Sequence, residues 1–537
     1  MKKTKILCLL CAFCLSIASF SACGFGRVQG KKGLLQIAAF EGGYGDTWAQ
    51  ALADAYKRHN PDVQINVTCN PFVRDWAGTA ISSGLADKDI YFTDGISIGS
   101  ACENNESVMD ISELYKMKPK AGDKEEELTI EEKIRPEILE DMKYGGDNEK
   151  YQNKYYAVPS SSGPCSLILN VTALNASLGE GNWREPRTTD EFFELCDAIV
   201  AANKSVSVQG VSHRIYPFIF SGLKGIDYVR YLYNHWIIQY SGKEAWDGIS
   251  TFKINGEYKK EAFQPEGKKI AWKIMEKVFK RDGSAANSPY LYADPESSGL
   301  EFNVAQKYFI QGRACMFVTG DWLEREMEGT TEASSEMRMI RTPMVSDLSE
   351  KLEADYGVSL GSTHEQKDAK LREMVTAADA GESGVDGVSD EVFACVNKAR
   401  KYVFSIGNQM VGFVPSATLN YDLAIDFLRF MYSDEGIQIV LNESKSYLPV
   451  RNPQNYTLAN GSNFIKSTHK FLIDGSEMFF MSAKDPIRYR TGMDWHLGAE
   501  KPEISLSKRN AMTAEECLAR EMDLLNRSWN SYMNQVS

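Results

Sequence analysis

The feature that most constrains the fold is a series of apolar runs near the start of the chain, interrupted by clustered glycines. Leu34–Phe40 is strand-like, and residues 41–45 must form a turn because clustered glycines break helices and strands. Asp46 is the expected N-cap of a helix in which apolar residues recur at i, i+4 and i+8: Trp48, Leu52 and Tyr56. Residues 63–67 and 90–93 are further strand-like runs. This order predicts an α/β fold with a mainly parallel sheet.

Composition and charge exclude several classes of protein. Hydrophobic residues make up 43% and charged residues 25% of the 537 residues, as in ordinary globular proteins, which excludes wholesale disorder. Lysine and arginine number 60 against 73 aspartates and glutamates, a formal net charge of −13. Because nucleic-acid-binding domains carry basic faces, this balance argues against nucleic acid as a partner.

The first residues have the order of an export signal. Three lysines precede an apolar run over residues 6–20, which is shorter than the ~20 residues of a membrane span, and small residues follow it. Cys23 comes directly after those small residues and resembles the cysteine of a bacterial lipobox, which carries lipid on its sulfur. We predict a signal peptide over residues 1–22 and a lipidated tether over residues 23–32. The alternative is an ordinary secretory signal with an incidental cysteine.

The other cysteines do not suggest a disulfide framework. Of the 11 cysteines, three lie in the predicted signal and Cys23 is the fourth, which leaves seven with no C-x-x-C pair. We interpret these seven as small buried apolar side chains. Their spacing does not match a zinc site, and we expect no metal and no cofactor.

Two stretches and two capping motifs complete the pattern. Residues 117–154 are rich in charge and glycine, and we expect a solvated surface excursion there. Residues 345–400 are acidic and interrupted by glycines, and we expect loops with one or two surface helices. Two capping boxes predict helix starts at Thr188 with Glu191 and at Thr513 with Glu516, the second opening a C-terminal helix.

Four groups of segments, taken in order, resemble the extracellular solute-binding proteins of ABC importers, specifically the carbohydrate-type group that includes maltose-binding protein. The first group is residues 37–40 with the glycine-rich turn, the helix and residues 60–63; the second is residues 155–159, 169–170 and 186–189; the third is residues 309–316 and 320–322; the fourth is residues 424–430, 433–436 and 448–451. With the last helix they span nearly the whole mature chain. The chain departs from many relatives in its length and in the two stretches described above.

The resemblance implies two α/β lobes joined by strands that cross between them, with a ligand cleft in between. By analogy, lobe one takes residues 33–158 and 404–447, and lobe two takes residues 159–403 and 448–537. A ligand that touches both lobes favours the closed state over the open one. The implied protein is a monomer, lipid-anchored on the extracellular face of the cell membrane. It delivers a carbohydrate, by our reading an oligosaccharide, to the transmembrane subunits of an ABC permease with a cytoplasmic ATPase.

The best candidate ligand contacts follow strands. Turns at the carboxyl ends of parallel strands open onto the crevice of such folds, and Glu41, Tyr44 and Asp94 lie in those turns. Turn capping is the alternative role for them. By resemblance Trp322 takes the place of a ring stacked on a sugar, with Asp321 beside it, and the alternative for Trp322 is an interlobe core residue. Such a site combines apolar walls with a few placed polar groups.

Further candidates have less support from the sequence. They are Asn408 at the return crossing, Trp236, Arg490, Trp495 and Trp76. A tryptophan is more often a core residue than a platform for a ligand.

An enzyme is the main rival from a different class. The serine-hydrolase pattern G-x-S-x-G occurs at residues 95–99 and 357–361, and histidines lie downstream. No H-G-G-G-type segment precedes the first occurrence, and the sequence has no H-E-x-x-H, P-loop or Rossmann fingerprint. A glycosidase needs two carboxylates at a defined separation, which the sequence cannot test. We therefore expect a binding protein and no enzyme. A peptide or other solute as ligand, and a surface sensor or adhesion lipoprotein without transport, remain open alternatives.

Overall fold

A computed structural model describes most of the mature chain. The described residues are 33–104, 106–219, 228–280, 288–292, 301–329, 335–458, 461–493, 505–506 and 511–536. The predicted signal peptide, Cys23 and Trp495 lie outside these ranges.

The strands are short and form two larger sheets and three hairpins. In chain order they are β1 Leu34–Phe40, β2 Gln64–Asn70, β3 Ile90–Thr93, β4 Lys120–Ala121, β5 Lys124–Glu125, β6 Val158–Pro159, β7 Pro164–Asn170, β8 Ser205–Val208, β9 Val211–Arg214, β10 Tyr216–Phe218, β11 Lys253–Ile254, β12 Glu257–Tyr258, β13 Ala314–Gly320, β14 Met337–Ile340, β15 Tyr402–Ser405, β16 Val411–Phe413 and β17 Glu477–Phe479.

Helices cover the sheets and form most of the rest. In chain order they are α1 Trp48–His59, α2 Val73–Ser82, α3 Ile98–Glu103, α4 Ser112–Lys116, α5 Ile130–Lys133, α6 Pro136–Asp141, α7 Val171–Leu178, α8 Thr189–Ala202, α9 Arg230–Thr251, α10 Glu266–Phe279, α11 Phe302–Ile310, α12 Leu323–Glu326, α13 Leu348–Tyr356, α14 His364–Ala380, α15 Asp390–Lys401, α16 Tyr421–Met431, α17 Asp434–Ser444, α18 Asn463–Ile473, α19 Pro486–Tyr489 and α20 Ala514–Val536. Within the described ranges, none of them has both the length and the apolarity that crossing a membrane requires.

Sheet one has the order β2-β1-β3-β16-β6, and it is the core of lobe one. Strands β2, β1 and β3 are parallel, as predicted, so the turns that follow them emerge at one edge. Strand β16 pairs antiparallel with β3 and with β6, because it enters the sheet from the opposite side. The sheet is therefore mixed, with a parallel part made of the strands that the sequence pattern indicated.

Sheet two has the order β10-β13-β7-β15-β17, with β14 also paired to β7, and it is the core of lobe two. Its central strands β7 and β13 are buried along their whole length. Sheets buried on both faces contain nearly continuous apolar runs, which explains the apolar sequence of β13.

Three segments connect the two sheets. We call residues 160–163 the first crossing, between β6 and β7, and residues 406–410 the second crossing, between β15 and β16. The third crossing, residues 445–450, follows α17 and leads to lobe two. The two-lobed α/β architecture is thus present, and the predicted residue boundaries between the lobes stay a prediction.

The prediction of a solvated excursion over residues 117–154 is wrong for residues 130–144, whereas residues 120–128 are exposed or partly exposed as predicted. Four apolar residues at intervals of four are fully buried there, Ile130, Ile134, Ile138 and Met142. The backbone around them pairs with the third crossing and the residue after it: Arg135 N donates to Pro449 O at 2.9 Å, and Arg451 N donates to Lys133 O at 2.8 Å. The surrounding charge concealed this spacing in the sequence. The segment therefore packs against the connection between the lobes.

The expectation for residues 345–400 also needs correction. They form three helices, α13, α14 and α15, that share a separate apolar core including Leu348, Leu352, Leu371, Met374 and Val396. A self-contained core explains how so acidic a stretch stays ordered: each helix buries one apolar side and leaves its charges in water.

The helix caps differ in part from the sequence prediction. Thr47, and not Asp46, occupies the N-cap of α1. At α8 the Thr188 side chain accepts from Glu191 N, but the Glu191 carboxylate turns to Arg187 instead of completing the box. At α20 the box is reciprocal, because Thr513 N donates to Glu516 at 2.8 Å and Glu516 N donates to Thr513 at 3.1 Å. The second capping prediction is therefore confirmed.

We predict that Ile138→Ala destabilises the protein by about 2–5 kcal/mol, because it removes a fully buried side chain from the packing between residues 117–154 and the crossings. Leu128→Ala is the matched control from the same stretch, since Leu128 is 47% exposed. Thermal and urea unfolding measure both variants. If Ile138→Ala were no more destabilising than Leu128→Ala, the stretch would not be part of the packed fold.

Candidate ligand-binding cleft

A cavity of about 700 Å³ lies between the two sheets. Lobe one lines it with the residues that follow its parallel strands: Glu41 after β1, Pro71 after β2 and Asp94 after β3. Lobe two lines it with the residues after β13 and at the start of α9, and the second crossing contributes to its wall. The carboxyl ends of the parallel strands therefore open onto this space, as expected for an α/β fold.

The glycine-rich turn lets lobe one approach lobe two closely. Gly43 and Gly45 have φ values of +83° and +82°, a conformation that glycine adopts without strain. A Cβ on Gly43 would lie 3.0 Å from the Trp322 ring, and one on Gly45 would collide with the Arg325 guanidinium. The glycines therefore place the turn directly against the residues that follow β13.

Trp322 is the centre of an aromatic cluster that forms part of the cavity wall. Three tyrosine rings meet it edge-on, with centroid distances of 6.2 Å to Tyr44, 6.1 Å to Tyr228 and 6.4 Å to Tyr231. Trp322 lines the cavity although only 4% of its surface is exposed. It is thus both an interlobe packing residue and a candidate surface for a ligand, which combines the two roles that the sequence left open.

Tyr44 and Asp321 lie behind the cavity, in a buried polar network. The Tyr44 hydroxyl donates to Asp321 Oδ1 at 3.4 Å, and the Ser446 hydroxyl donates to Asp321 Oδ2 at 2.5 Å. Ser161 Oγ of the first crossing lies 3.3 Å from Ser446 Oγ. Burial raises the pKa of the Asp321 carboxyl to about 7, and burial together with Asp321 raises the pKa of Tyr44. The network joins lobe one, β13 and two crossings.

Charged side chains cover much of the rest of the cavity wall. Arg74 Nε lies 3.1 Å from Asp94 Oδ1, an ion-pair contact without hydrogen-bond geometry, and burial raises the pKa of Asp94. In lobe two, Arg325 pairs with Glu328 and lies within 3.4 Å of Thr47 in lobe one. Each lobe therefore presents both a basic and an acidic side chain to the cleft.

Glu326 is the most unusual acid in the wall. It ends α12, and its carboxylate accepts a hydrogen bond from Gln306 Nε2 at 2.8 Å. Burial, opposed by the Gln306 hydrogen bond and assisted by the charge of Glu41, raises its pKa to about 7. A carboxyl group with that pKa changes charge near neutral pH.

The structure places the weaker candidates outside this cavity. Trp236 is fully buried in α9 and donates to Pro343 O at 3.2 Å. Asn408 is part of the second crossing, and its side chain donates a hydrogen bond to Asp141 at 2.8 Å. Arg490 pairs with Glu103 at 2.9 Å, and Trp76 packs edge-on against Tyr91. The structure therefore brings Glu41, Asp94 and Trp322 together at the cavity, with Tyr44 and Asp321 directly behind them.

Several wall residues were missed by the sequence analysis. They are Arg74, Asp75, Tyr228, Arg230, Tyr231, Phe302, Arg325, Glu326, Gln409 and Met410. Arg325 and Glu326 could have been found, because they follow Trp322 at i+3 and i+4 and one helical turn places such residues on a common face. Tyr228 and Arg230 gave no such signal, since they lie at the start of a long helix without a recognisable motif.

The motifs considered for catalysis have structural roles. Ser97 caps α3 by accepting from Ser100 N at 3.4 Å, and Ser359 lies in the loop between α13 and α14. His235 is buried with both ring nitrogens engaged, one by Tyr231 O and the other by Phe404 N. Burial lowers the pKa of His235 to about 4, so this imidazole stays neutral at physiological pH.

One group of metal-type side chains occurs in the described part of the chain. Asp347, Glu350 and His364 place one ligand atom each within 4.8 Å of one another. The imidazole already contacts Glu350 at 3.0 Å and Asp190 at 2.8 Å, and the Glu350 hydrogen bond raises its pKa to about 9. A protonated imidazole between acids accounts for the group without a metal.

Comparison with known proteins places this geometry in a family. Residues 51–453 match the model of the bacterial extracellular solute-binding protein family. The chain therefore belongs to that family of ABC-importer-type binding proteins, which are not enzymes. Among curated protein sequences, none is significantly similar to it.

Solved structures share the fold over nearly the whole chain. A chitin oligosaccharide binding protein has 15% identity and a TM-score of 0.56, covering 92% of this chain and 98% of that one. The solute-binding protein RafE in complex with raffinose has 15% identity and a TM-score of 0.55, with 93% and 99% coverage. A probable secreted solute-binding lipoprotein from Streptomyces coelicolor has 12% identity and a TM-score of 0.56, with 92% and 99% coverage. The likeness establishes the two-lobed fold.

We predict that Asp321 makes the protein less stable as pH rises from about 4 towards neutrality. Its folded pKa of about 7 lies above its ordinary value of 3.8, so the neutral carboxyl favours folding at low pH and this stability is lost as pH rises through 7. Asp321→Asn keeps the shape and cannot ionise. Each unit of pKa difference is worth about 1.4 kcal/mol. Between pH 4 and pH 8 we therefore expect the free energy of unfolding to fall by at least about 1.4 kcal/mol more in the wild type than in the variant.

Unfolding of both proteins by urea at several pH values measures this difference. Parallel stability profiles for the two proteins would contradict it.

Proposed function

We propose that this protein is the lipid-anchored, extracellular solute-binding component of an ABC importer, and that it captures an oligosaccharide in the cleft between its lobes. Family membership supports the importer role, and two proteins of similar fold are named for carbohydrate ligands, chitin oligosaccharide and raffinose. Because those likenesses are at 15% identity, the ligand assignment depends on the chemistry of this cavity.

The observation that carries the proposal is a cavity with walls from both lobes around one tryptophan. Its volume of about 700 Å³ is within the range of ligand pockets. Rings of Phe40, Tyr231, Phe302 and Trp322 can cover the C–H faces of sugar rings, and Gln409, Glu41 and Asp94 can bind hydroxyl groups. This mixture of aromatic faces and planar polar groups suits a carbohydrate.

The same arrangement explains how ligand binding leads to closure of the two lobes. A ligand that contacts both lobes binds the closed state better and shifts the equilibrium by that difference in affinity. Moving a population from 1:99 to 99:1 takes roughly 5.5 kcal/mol, and a ligand with a Kd of ~1 μM supplies about 8.2 kcal/mol. Micromolar binding is therefore sufficient to drive closure.

The partners and the anchor belong to the proposal. Cys23 would carry the lipid and hold the protein at the extracellular face of the cell membrane, and two acyl chains make such an anchor stable. The closed form would dock, as a monomer, on the transmembrane subunits of an ABC permease whose ATPase is cytoplasmic. We assign direct ligand contact to Glu41, Asp94 and Trp322 and a supporting role to Tyr44 and Asp321.

We predict that an oligosaccharide raises the melting temperature of the mature protein. A ligand that binds only the folded state stabilises it by mass action, and at 100 times the Kd the gain is about 2.7 kcal/mol. A thermal-shift screen against a glycan library, with a peptide library in parallel, measures this. Stabilisation by peptides and by no glycan would contradict the carbohydrate assignment and favour a peptide-binding protein.

We predict that Trp322→Ala weakens ligand binding roughly ten- to hundredfold, because losing an aromatic face costs about 1.5–3 kcal/mol. Trp322 is also packed between the lobes, so Trp322→Phe, which keeps a ring, should show a smaller loss of affinity. Trp76→Ala is the control, since Trp76 lies outside the cavity wall. Titration calorimetry on folded protein measures all three, and unchanged affinity in both Trp322 variants would remove it from the site.

A further inference from the structure

The two lobes present carboxyl groups to each other across the cavity. Glu41 follows β1 in lobe one, and Glu326 ends α12 in lobe two; both belong to the cavity wall. The turn that contains Glu41 lies against Trp322 and Arg325, just before Glu326, and the charge of Glu41 adds to the effect of burial on the pKa of Glu326. Closing the cleft therefore brings two groups together that repel one another when both are ionised.

Acids also outnumber bases around the whole cavity. Among the described residues of the wall, the acids are Glu41, Asp46, Asp75, Asp94, Glu326 and Glu328, and the bases are Arg74, Arg230 and Arg325. Arg74 pairs with Asp94, and Arg325 pairs with Glu328. The described residues provide no ion-pair partner for Glu41, Asp46, Asp75 or Glu326.

This excess of carboxyl groups determines which kind of ligand can stabilise the closed cleft. Taking a carboxylate out of water is costly unless a charge and hydrogen bonds replace the water. The hydroxyl groups of a neutral sugar supply hydrogen bonds but no charge. A protonated amine supplies both, and a cation held against tryptophan or tyrosine rings gains further attraction.

We propose that the ligand carries a protonated amine, which binds between Glu41 and Glu326 in the closed cleft. The inference rests on the proposed function, and it narrows the substrate class to oligosaccharides with at least one free amino group, as opposed to neutral or N-acylated sugars. The amine bridges the lobes, so it contributes directly to closure and not only to affinity.

A metal ion fits this place less well. Calcium takes six to eight oxygen ligands that converge on one point. Within the described residues, the group of metal-type side chains that converge is Asp347, Glu350 and His364, in the three-helix region away from the cavity. The cavity acids are spread along its wall, which suits an extended organic cation.

The test compares matched glycan pairs, each in a free-amine form and an N-acetylated form of the same length and linkage. Binding to the mature protein is measured by thermal shift and calorimetry, with and without EDTA and at two salt concentrations. We expect the amine form to bind roughly ten- to hundredfold tighter, as a charged hydrogen bond contributes about 1.5–3 kcal/mol. The preference should shrink at high salt, because ionic screening weakens charge interactions.

Two variants locate the effect. Glu41→Gln and Glu326→Gln keep the size of the side chain and remove its charge, so each should reduce the ratio of the two affinities, amine form over N-acetyl form, about tenfold or more. Glu194→Gln is the control, because Glu194 is exposed on α8 and outside the cavity wall. It should leave both affinities unchanged.

The outcomes separate this inference from the proposed function. Equal binding of the two forms, or tighter binding of the N-acetyl form, would overturn the amine inference and leave the carbohydrate function intact. A preference for the amine form that survives both glutamine variants would also overturn it. Binding that disappears in EDTA would indicate a metal bridge instead. If no glycan binds in either form, both the inference and the carbohydrate function are contradicted.

Discussion

The hydrogen bonds between the crossing segments hold the two lobes in register, and the rest of the structure depends on them. Ser160 N of the first crossing donates to Met410 O of the second at 2.8 Å, and Ile406 N donates back to Gly163 O at 3.0 Å. Ser162 N donates to Tyr447 O of the third crossing at 2.7 Å. Three adjacent connections joined by these hydrogen bonds form one narrow region between the lobes. Rotation about that region would let the proposed cleft open and close without unfolding either sheet.

The cleft lies beside these connections, and both lobes contribute residues to its wall. Lobe one supplies the turns after its parallel strands, and lobe two supplies the aromatic and charged residues after β13. The buried hydrogen-bond network around Asp321 connects both lobes with the crossings. The same few residues therefore lie against Trp322 and contact the crossing segments. Residues 117–154 add a second support, since Asp141 accepts from Asn408 of the second crossing at 2.8 Å.

Local patterns predicted the parts of this structure that local physics determines. The spans of β1 and β3 and the reciprocal cap of α20 follow from apolar runs and capping chemistry, and Glu41 and Asp94 follow from the rule that strand ends meet at one edge. Where the sequence failed, distant residues decide the outcome. Ile130, Ile134, Ile138 and Met142 are buried because segments distant in sequence, including the second and third crossings, pack around this stretch, and their charged neighbours suggested exposure. Trp236 and Arg490 have the chemistry of ligand contacts but are engaged elsewhere, by Pro343 and by Glu103. Tyr228 and Arg230 enter the wall through packing that no short motif indicates.

Small-angle X-ray scattering tests most directly whether the two lobes close on a ligand. The mature protein is measured alone and with a saturating concentration of the glycan that stabilises it most. The account predicts a smaller radius of gyration and a scattering curve that shifts towards a more compact particle when ligand is bound. Saturated protein with an unchanged curve would show that the ligand binds without relative movement of the lobes, and that result would contradict the mechanism.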